Sequence, residues 1–479
     1  MDLGSILGAR RTRSGAVFSD YVPIAVDVDL DDLYQKAEDA KRDLAEGDCE
    51  EGSDFESGTE FEGPEQLASD RGHESCPSTP LTELSSEPPE DPPQAGPAAP
   101  GRFMAQAAPL NKSSKARKSA RHRRKRRAQT GNDSGSSKRH RAAIIQSAQQ
   151  VPVEFDLDQA PVTQTAFTAL RDASDTGVPA LRDLKGFAYV DWDGRQPVVF
   201  TAGPEEVIVG ILFGAPSDPD WEEDHAAFAM AIEGAASRMT FAPEEAHHRR
   251  GDFRVKAHGT SHGGGQKMPQ PLKHTKRNKK ELDMLVRART MQRIAHFTGA
   301  CFGAWQEALH AHYTSIRDRL LDWQPSLRRS LHFKKSPWLC LTINFGPRTL
   351  TFPHRDFGNI SYGFCSITAL GRFNADLGGH IVIKEYKVVV RFPAGSSICI
   401  PSAIVTHFNT DIAADETRLS VTQYTSGGIF RFVEHGFQLD KKYYDSLDAE
   451  GAASAKADNA ARWHRGVAML SRLPKLAQH

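Results

Sequence analysis

Cysteine is scarce in this chain, and its spacing argues against a fold held together by disulfides. Only six cysteines occur in 479 residues, and none belongs to a C-x-x-C pair. A disulfide framework is therefore not expected, and a reducing compartment is favoured. The six are Cys49, Cys76, Cys301, Cys340, Cys365 and Cys399.

Long apolar runs and net charge are lacking as well. No segment reaches the roughly 18 consecutive apolar residues that a membrane-spanning helix needs, so no membrane partner is expected. The opening segment MDLGSILGARRTRSG has too short an apolar stretch for a secretory signal. The formal net charge of −1 excludes a global basic field, but charges of each sign are concentrated in separate segments.

Charge segregation is strongest in residues 1–150, which we predict to be a disordered arm. Asp43–Glu65 contains ten acidic residues and no basic one, and Ser75–Pro100 is rich in proline, serine and alanine. Such stretches cannot bury enough apolar surface to offset the entropy lost on ordering. A short helix over Leu30–Leu44 is the one element expected there.

A basic run follows in the same arm, where Lys112–Arg127 holds ten lysines and arginines in sixteen residues. It fits a nuclear localisation signal, a tether to DNA phosphates, or a solvated charge run. The first two are compatible, and they predict a nuclear protein. The centre of the predicted signal consists of Arg121, Arg123, Arg124, Lys125, Arg126 and Arg127.

The rest of the chain is predicted to fold in four successive regions. Residues 151–240 form a small α+β accessory region, in which Asp193-Gly194 turns a hairpin and a helix covers Trp221–Arg238. Residues 241–335 form a loop and helical lead-in. The core and a helical tail follow at residues 336–440 and 441–479.

The lead-in contains two segments with open interpretations. Gly259–Lys267 has three consecutive glycines without P-loop spacing, so it is either a mobile loop over the site or a surface connector. A second basic cluster either contacts nucleic-acid phosphates or is a solvated face. Helices over Glu281–Phe297 and Gly303–Leu321 are expected to support the core. The cluster consists of Lys273, Lys276, Arg277, Lys279 and Lys280.

Short β-rich runs dominate the core and predict a mostly β fold with flanking helices, an α+β arrangement. Helical spacers between the runs are missing, which disfavours a parallel βαβ architecture. The pattern fits a double-stranded β-helix, a jelly-roll-like barrel. The runs are Leu339–Phe345, Thr349–His354, Cys365–Leu370, His380–Ile383, Val388–Phe392, Ser397–Pro401 and Leu419–Tyr424.

The most informative pattern in the core is His354-Arg355-Asp356, with His407 farther along the chain. Residues i and i+2 of a strand face the same side, so His354 and Asp356 can aim at one point. Two histidines and one carboxylate on one face leave open positions that suit iron(II), whereas a structural zinc site is closed by four ligands. A lone His-x-Asp is common by chance, so the prediction depends on the whole combination.

Arg418 lies eleven residues after His407 and begins a strand-like run. Alternate residues from Arg418 to Tyr424 are polar and would share one face. Arginine grips a carboxylate with two parallel hydrogen bonds, and the Ser420 hydroxyl could add another, which predicts a clamp for a dicarboxylate. The connector Asn409–Thr417 is expected to be a hairpin loop that places the His407 strand beside the Arg418 strand.

The run HRDFGN followed by RLSVTQY resembles the TET/JBP branch of Fe(II)/2-oxoglutarate-dependent dioxygenases. Phrases such as NFGPRT, GGH and QYTSGGIFRFVEHGF are similar to its expanded fungal members, and the resemblance spans Phe241–Phe437. It implies Fe(II) and 2-oxoglutarate as cofactors. It also implies oxidation of the methyl group of 5-methylcytosine in nucleic acid, with methylated DNA as the expected partner.

The resemblance carries residue roles with it. Arg418, with Ser420 beside it, would hold the distal carboxylate of 2-oxoglutarate. Asn359 would contact a flipped cytosine, and Tyr424 would stack near that base. The implied catalytic iron ligands are His354, Asp356 and His407.

Several positions depart from animal members of that family or have two interpretations. Ser426 and Gly358 stand where animal enzymes have histidines, and the cysteine-rich zinc-binding segment is missing. Asn344 either bonds 2-oxoglutarate, as in related dioxygenases, or closes a turn with Gly346-Pro347. Two other functions stay open: the same chemistry on a protein side chain or small molecule, and a non-catalytic nuclear binding protein with a vestigial oxygenase domain. The oligomeric state is also open.

Overall fold

The computed structural model describes residues 144–171, 177–179 and 183–473, together with the backbone of a strand pair near the N-terminus. Most of the arm predicted for residues 1–150, including the Leu30–Leu44 helix and the basic run, lies outside the described residues. Within them, a strand already begins at Gln149 and pairs with Val198.

The described residues form two main sheets and a layer of helices. The strands are β1 (Arg10–Arg11), β2 (Val17–Phe18), β3 (Gln149–Val153), β4 (Ala188–Val190), β5 (Val198–Ala202), β6 (Val207–Gly214), β7 (Val255–Ser261), β8 (Gln270–Pro271), β9 (Cys340–Asn344), β10 (Cys365–Arg372), β11 (Ile381–Ile383), β12 (Val388–Val390), β13 (Ser397–Ile400), β14 (His407–Asn409) and β15 (Thr417–Tyr424). The helices are α1 (Trp221–Arg238), α2 (Lys276–Arg287), α3 (Arg289–Trp305), α4 (Glu307–Trp323), α5 (Gly427–Glu434), α6 (Asp440–Asp445) and α7 (Ala449–Ala468), with 3-10 turns at Leu157–Gln159, Pro243–Glu245 and Pro325–Ser330.

The larger sheet has the strand order β3-β5-β6-β13-β10-β15-β9-β7-β8, and the smaller has β14-β11-β12-β4. Most neighbours are antiparallel, with parallel pairing at β3–β5 and β12–β4. Both sheets contribute to one apolar core, with Ile367 and Ile398 from the larger sheet and Ile381 and Val390 from the smaller. Each such fully buried side chain contributes about 1.5–3 kcal/mol. Sheets with flanking helices are therefore confirmed, while closure into a jelly-roll barrel stays a prediction.

The outer face of the larger sheet is covered by helices, as predicted. Leu419 and Val421 of β15 point away from the site and pack with Leu285 of α2 and Ile294 of α3. Gln423, next on that face, donates a hydrogen bond to the Thr298 hydroxyl at 2.8 Å. The period-two alternation of β15 thus separates a helix-packing face from a polar face.

Two helix predictions need correction at their boundaries. Three helices, α2 to α4, occupy the lead-in where two were predicted at Glu281–Phe297 and Gly303–Leu321. The breaks fall at Ala288 and Gln306, whose backbones leave the helical region although both residue types favour helices. Trp221–Arg238 is confirmed. The tail contains two helices, α6 and α7, and no described helix is long and apolar enough to cross a membrane.

The prediction of a strand over Thr349–His354 is wrong, although the other core runs are strands. The backbone of this segment forms hydrogen bonds with the Asn409 side chain and with the loop at Arg250, and it does not pair continuously with a neighbouring strand. The Thr351 N–H donates to Asn409 Oδ1 at 2.9 Å, and Asn409 Nδ2 donates to the Thr349 carbonyl at 2.9 Å. Only at His354 does a β-bridge form, with His407.

Two predicted hairpins are also wrong. The strands flanking Asp193-Gly194 separate, since β4 joins the smaller sheet and β5 the larger. The turn itself forms, with Asp193 Oδ1 accepting the N–H groups of Arg195 and Gln196 at 2.8 Å each. Likewise β14 pairs with β11, whereas β15 pairs with β10 and β9. The His407 and Arg418 strands therefore approach the site from different sheets.

Candidate metal centre and adjoining pockets

His354, Asp356 and His407 converge, as the metal-site prediction requires. Their ligand atoms all lie within 4.8 Å of one another. The Asp356 carboxylate is 3.9 Å from Nε2 of each imidazole, and the two ring centroids are 4.4 Å apart. Across the ranges that the structure describes, no other trio of histidine, cysteine or acidic side chains comes this close.

The two imidazoles are oriented by the chain that carries them. Nδ1 of His354 lies 2.7 Å from the Phe352 carbonyl, and Nδ1 of His407 lies 3.0 Å from the Val405 carbonyl. A carbonyl can only accept, so each Nδ1 carries the proton and each Nε2 keeps its lone pair for the centre. Such bonds fix the ring orientation of metal-binding histidines.

The electrostatics favour the protonation states that ligate a metal. Burial lowers the pKa of His354 well below its ordinary value, and the neighbouring His407 acts in the same direction. Burial acts to raise the pKa of Asp356, but the nearby imidazoles and Arg250 outweigh it and lower that pKa. At neutral pH the site therefore offers a neutral imidazole and an ionised carboxylate, which metal binding requires.

Arg250 is a site residue to which the sequence interpretation gave no role. Its Nη1 lies 3.7 Å from Asp356 Oδ1, and its carbonyl accepts the Phe352 N–H at 2.8 Å. The neighbouring Arg249 donates to the Arg355 carbonyl at 2.9 Å. Two consecutive arginines were the available signal, but the segment lies about a hundred positions before the metal triad, and nothing local assigns it to that site.

The predicted co-substrate residues line the same pocket as the metal triad. Arg418, Ser420 and Thr422 project from β15, and Asn344 joins them from β9. Asn344 Nδ2 donates to the Ser420 hydroxyl at 2.8 Å, so its amide does not close the turn at Gly346-Pro347. The pocket is lined by Arg250, Phe253, Asn344, Thr351, His354, Asp356, Ile367, Ile381, His407, Phe408, Asn409, Arg418, Ser420 and Thr422.

Buried polar atoms without partners show what this pocket lacks. The Arg418 side chain is 3 % exposed, donates one hydrogen bond from Nη1 to the Thr349 carbonyl, and has an unpartnered Nε. Burial lowers its pKa to about 10. Asn344 Oδ1 and Thr349 Oγ1 are unpartnered as well. A buried cation with a spare donor fits an anionic ligand, and the carboxylate of a 2-oxo acid has that chemistry.

The predicted substrate residues, Asn359 and Tyr424, line a second and more open pocket with Ser426. The two pockets share supporting structure, because the Asn359 N–H donates to the Asp356 carbonyl at 2.9 Å. Tyr424 and Ser426 continue the alternation that carries Thr422, so this pocket begins about 7 Å farther along the chain. Asn359 Nδ2 also donates to the Ser402 hydroxyl at 3.3 Å.

The predicted nuclear-signal residues lie outside the described residues, so the structure places none of them. The second basic cluster is described: Lys276 opens α2 and Lys273 precedes it. Within it, Lys279 pairs with Asp283 at 2.6 Å. Neither the phosphate-contact nor the solvated-face interpretation is decided by these positions.

Comparison with known proteins gives little beyond this geometry. No protein-family model matches the chain, and no curated protein matches it. One similar solved structure is NgTET1 in complex with 5mC DNA, with 12% identity, a TM-score of 0.34, and coverage of 57% of this chain and 90% of that chain. Another is a 2OG-Fe(II) oxygenase family oxidoreductase from Burkholderia pseudomallei, with 20% identity, a TM-score of 0.25, and coverage of 41% and 78%. At these values the likeness does not assign a function.

Proposed function

We propose that the protein is an Fe(II)- and 2-oxoglutarate-dependent dioxygenase that oxidises the methyl group of 5-methylcytosine in nucleic acid, with DNA as the expected substrate. One observation carries the proposal. A 2-His-1-carboxylate cluster and a buried, incompletely partnered guanidinium line a single pocket between two sheets. Open coordination positions beside an anion clamp are what an iron enzyme with a 2-oxo acid requires.

Different residues of the pocket would bind the iron and the 2-oxoglutarate. His354, Asp356 and His407 would hold the iron, and their Nδ1 and carbonyl contacts keep the ligand atoms directed at it. Arg418 would bind the distal carboxylate of 2-oxoglutarate, with Ser420 beside it. When bound, iron and 2-oxoglutarate would activate dioxygen for oxidation of a substrate C–H bond, and 2-oxoglutarate would be converted to succinate. Two packed sheets around the pocket support the proposed jelly-roll core.

The second pocket would hold the base. A methyl group inside a duplex cannot reach a buried metal, so the nucleotide has to leave the stack. Asn359 offers an amide for the polar edge of cytosine, and Tyr424 offers a ring for stacking. The basic run of the arm would bind DNA phosphates through electrostatic attraction. It would also act as the nuclear localisation signal.

The deciding experiment is mass spectrometry of nucleosides after incubating the protein with methylated DNA, iron(II) and 2-oxoglutarate. We expect oxidised 5-methylcytosine from the wild type and none from Asp356→Ala, which should also lose 2-oxoglutarate turnover. Asn359→Ala should keep basal succinate formation and lose mainly base oxidation. Normal DNA oxidation by Asn359→Ala would overturn the substrate assignment.

Two outcomes would favour the other functions. Stimulation of succinate formation by a peptide or small molecule, but not by methylated oligonucleotide, would keep the chemistry and change the substrate. Failure of the purified protein to take up iron(II) under anaerobic conditions would indicate a non-catalytic nuclear binding protein.

A further inference from the structure

We propose that His262 is a specificity-determining residue that hydrogen-bonds the polar edge of the substrate base in the second pocket. This inference rests on the proposed function, since it takes that pocket as the site of the base. It assigns a recognition role to the chain that follows β7, far in sequence from the core residues that line the same pocket.

The position of His262 supports the inference. It directly follows β7, and it is among the residues that line the pocket of Asn359, Tyr424 and Ser426. The next residues, Gly263-Gly264-Gly265, all have positive φ and border the same pocket and the space beside it. Glycine adopts positive φ without strain, so three successive glycines suit this course of the backbone.

The ring of His262 has unused hydrogen-bonding capacity. The residue is 6 % exposed, yet neither Nδ1 nor Nε2 has a partner. Among the histidines that the structure describes, it alone has both ring nitrogens buried and unpartnered. Buried polar groups are nearly always hydrogen-bonded, so such a ring beside a pocket indicates a missing ligand.

The chemistry of the ring matches a cytosine. Burial lowers the pKa of His262 to about 4, with Arg431 acting in the same direction, so the imidazole is neutral at physiological pH. A neutral imidazole presents one N–H donor and one acceptor. Cytosine presents an amino donor and ring acceptors on its edge, and flipped bases are read there. Thymine, with a carbonyl in place of the amino group, would require the opposite tautomer of the ring.

The backbone of His262 is anchored to Ser426, which follows the strand that carries Tyr424 and precedes α5. The His262 N–H donates to Ser426 Oγ at 3.3 Å, and that hydroxyl donates to the His262 carbonyl at 3.1 Å. A Cβ on Gly428 would lie 2.4 Å from the same carbonyl, so glycine permits the close approach of α5. The ring itself packs against Phe432, with centroids 5.1 Å apart. These contacts position the ring independently of substrate.

The test uses full-length protein carrying His262→Ala or His262→Gln. With His262→Ala we expect KM for a 5-methylcytosine oligonucleotide to rise about tenfold, as for one lost hydrogen bond to a buried partner. His262→Gln, which keeps a donor and an acceptor, should recover part of the loss. Preference for 5-methylcytosine over thymine oligonucleotides should fall in His262→Ala.

A matched control lies on β7, the strand that His262 directly follows. His258 is 5 % exposed and has one unpartnered ring nitrogen, but it lines a different cavity. His258→Ala should lose comparable packing and keep the wild-type KM. Binding is measured separately by fluorescence anisotropy under anaerobic conditions, comparing a 5-methylcytosine oligonucleotide with one that carries an abasic site. His262→Ala should reduce the difference between the two.

The outcomes separate this inference from the proposed function. If wild type oxidises methylated DNA and His262→Ala does so with unchanged KM and base preference, the inference is overturned and the proposed function stands. If His258→Ala and His262→Ala lose activity equally, His262 has only a packing role and the inference also fails. If wild type oxidises no methylated oligonucleotide, the proposed function fails and the inference fails with it.

Discussion

Arg418 is held in the protein at a cost to stability. Its pKa falls below the ordinary value of an arginine, to about 10, because burial disfavours the charged form. A cation whose folded pKa is lowered destabilises the fold at every pH where it stays charged, and the penalty fades only as the pH rises past that pKa. At neutral pH this amounts to ~3 kcal/mol. Such an arrangement is expected where a ligand anion supplies the missing partner.

Replacing the Arg418 guanidinium should raise thermal stability and weaken the binding of 2-oxoglutarate. We expect Arg418→Met to raise the Tm of the ligand-free protein, because an apolar side chain of similar length removes the buried charge between Phe373 and Phe392. The same change should weaken 2-oxoglutarate binding by roughly a hundredfold, as expected when a charged hydrogen-bonding partner is removed. Thermal unfolding and calorimetric titration measure the two effects.

The exposed Arg372, at the end of β10, provides the control for this pair of measurements. Arg372→Met should change neither the Tm nor the affinity for 2-oxoglutarate appreciably. A lower Tm for Arg418→Met, or an unchanged affinity, would show that Arg418 is a structural residue.

Residue-level prediction from sequence succeeded where period-two alternation decides the side that a residue faces. Arg418 and Ser420 line one pocket because alternation along β15 sets the side that each residue faces, whereas His354 and Asp356 converge although no strand covers them. Arg250 could not be found in this way. It reaches Asp356 only because the chain before β7 folds back over the site.

At the scale of elements, an asparagine side chain replaces part of a strand ladder. Asn409 ends β14, accepts the Thr351 N–H and hydroxyl, and donates to the Thr349 carbonyl. It is 3 % exposed, so these bonds are sheltered from water. The segment that leads into His354 therefore depends on one side chain for its course, and the metal centre depends on that segment.

Asn409→Ala should therefore loosen the metal centre from outside the triad. We expect a loss of about 2–3 kcal/mol of unfolding free energy, because buried backbone groups lose their partners. Iron(II) affinity should fall as His354 gains freedom. Urea denaturation and competition with a chromophoric chelator measure these changes.

Asn374, an exposed loop asparagine that accepts the Asp376 N–H, is the matched site for that experiment. Asn374→Ala should leave iron affinity unchanged. Equal iron affinity in Asn409→Ala and wild type would rule out this positioning role.

Pairing between elements was harder to predict than the elements themselves. Asp193-Gly194 is a turn, as its residues indicate, yet β4 and β5 leave it for different sheets. The connector between β14 and β15 also joins strands of different sheets, since β14 pairs with β11 and β15 pairs with β10 and β9. Turn residues fix local backbone geometry, but the choice of sheet depends on which apolar faces the whole fold can bury. The continuous apolar run of β6, buried along its full length, carries no signal of its partner.

At the scale of the whole molecule, a near-neutral chain would have to bind a polyanion. The net charge of −1 offers no general attraction, so phosphate contacts have to come from local clusters. The chain offers the run at Lys112–Arg127 and the cluster around α2. Electrostatic binding by either would be blind to sequence and sensitive to salt, while the second pocket would supply base selection.

Salt dependence can show which cluster contacts DNA. Each phosphate contact contributes about 0.9 to the slope of log K against log salt concentration. The first variant replaces six residues by glutamine: Arg121, Arg123, Arg124, Lys125, Arg126 and Arg127. The magnitude of the slope should decrease by up to about 5 if all six contact phosphates. Nuclear accumulation of a fluorescent fusion should fall in the same variant, whereas basal 2-oxoglutarate turnover should not change. Glutamine at Lys273, Lys276, Arg277 and Lys280 gives the comparison. If only this second set changes the slope, the phosphate tether lies beside the folded core, and the basic run of the arm is at most a localisation signal.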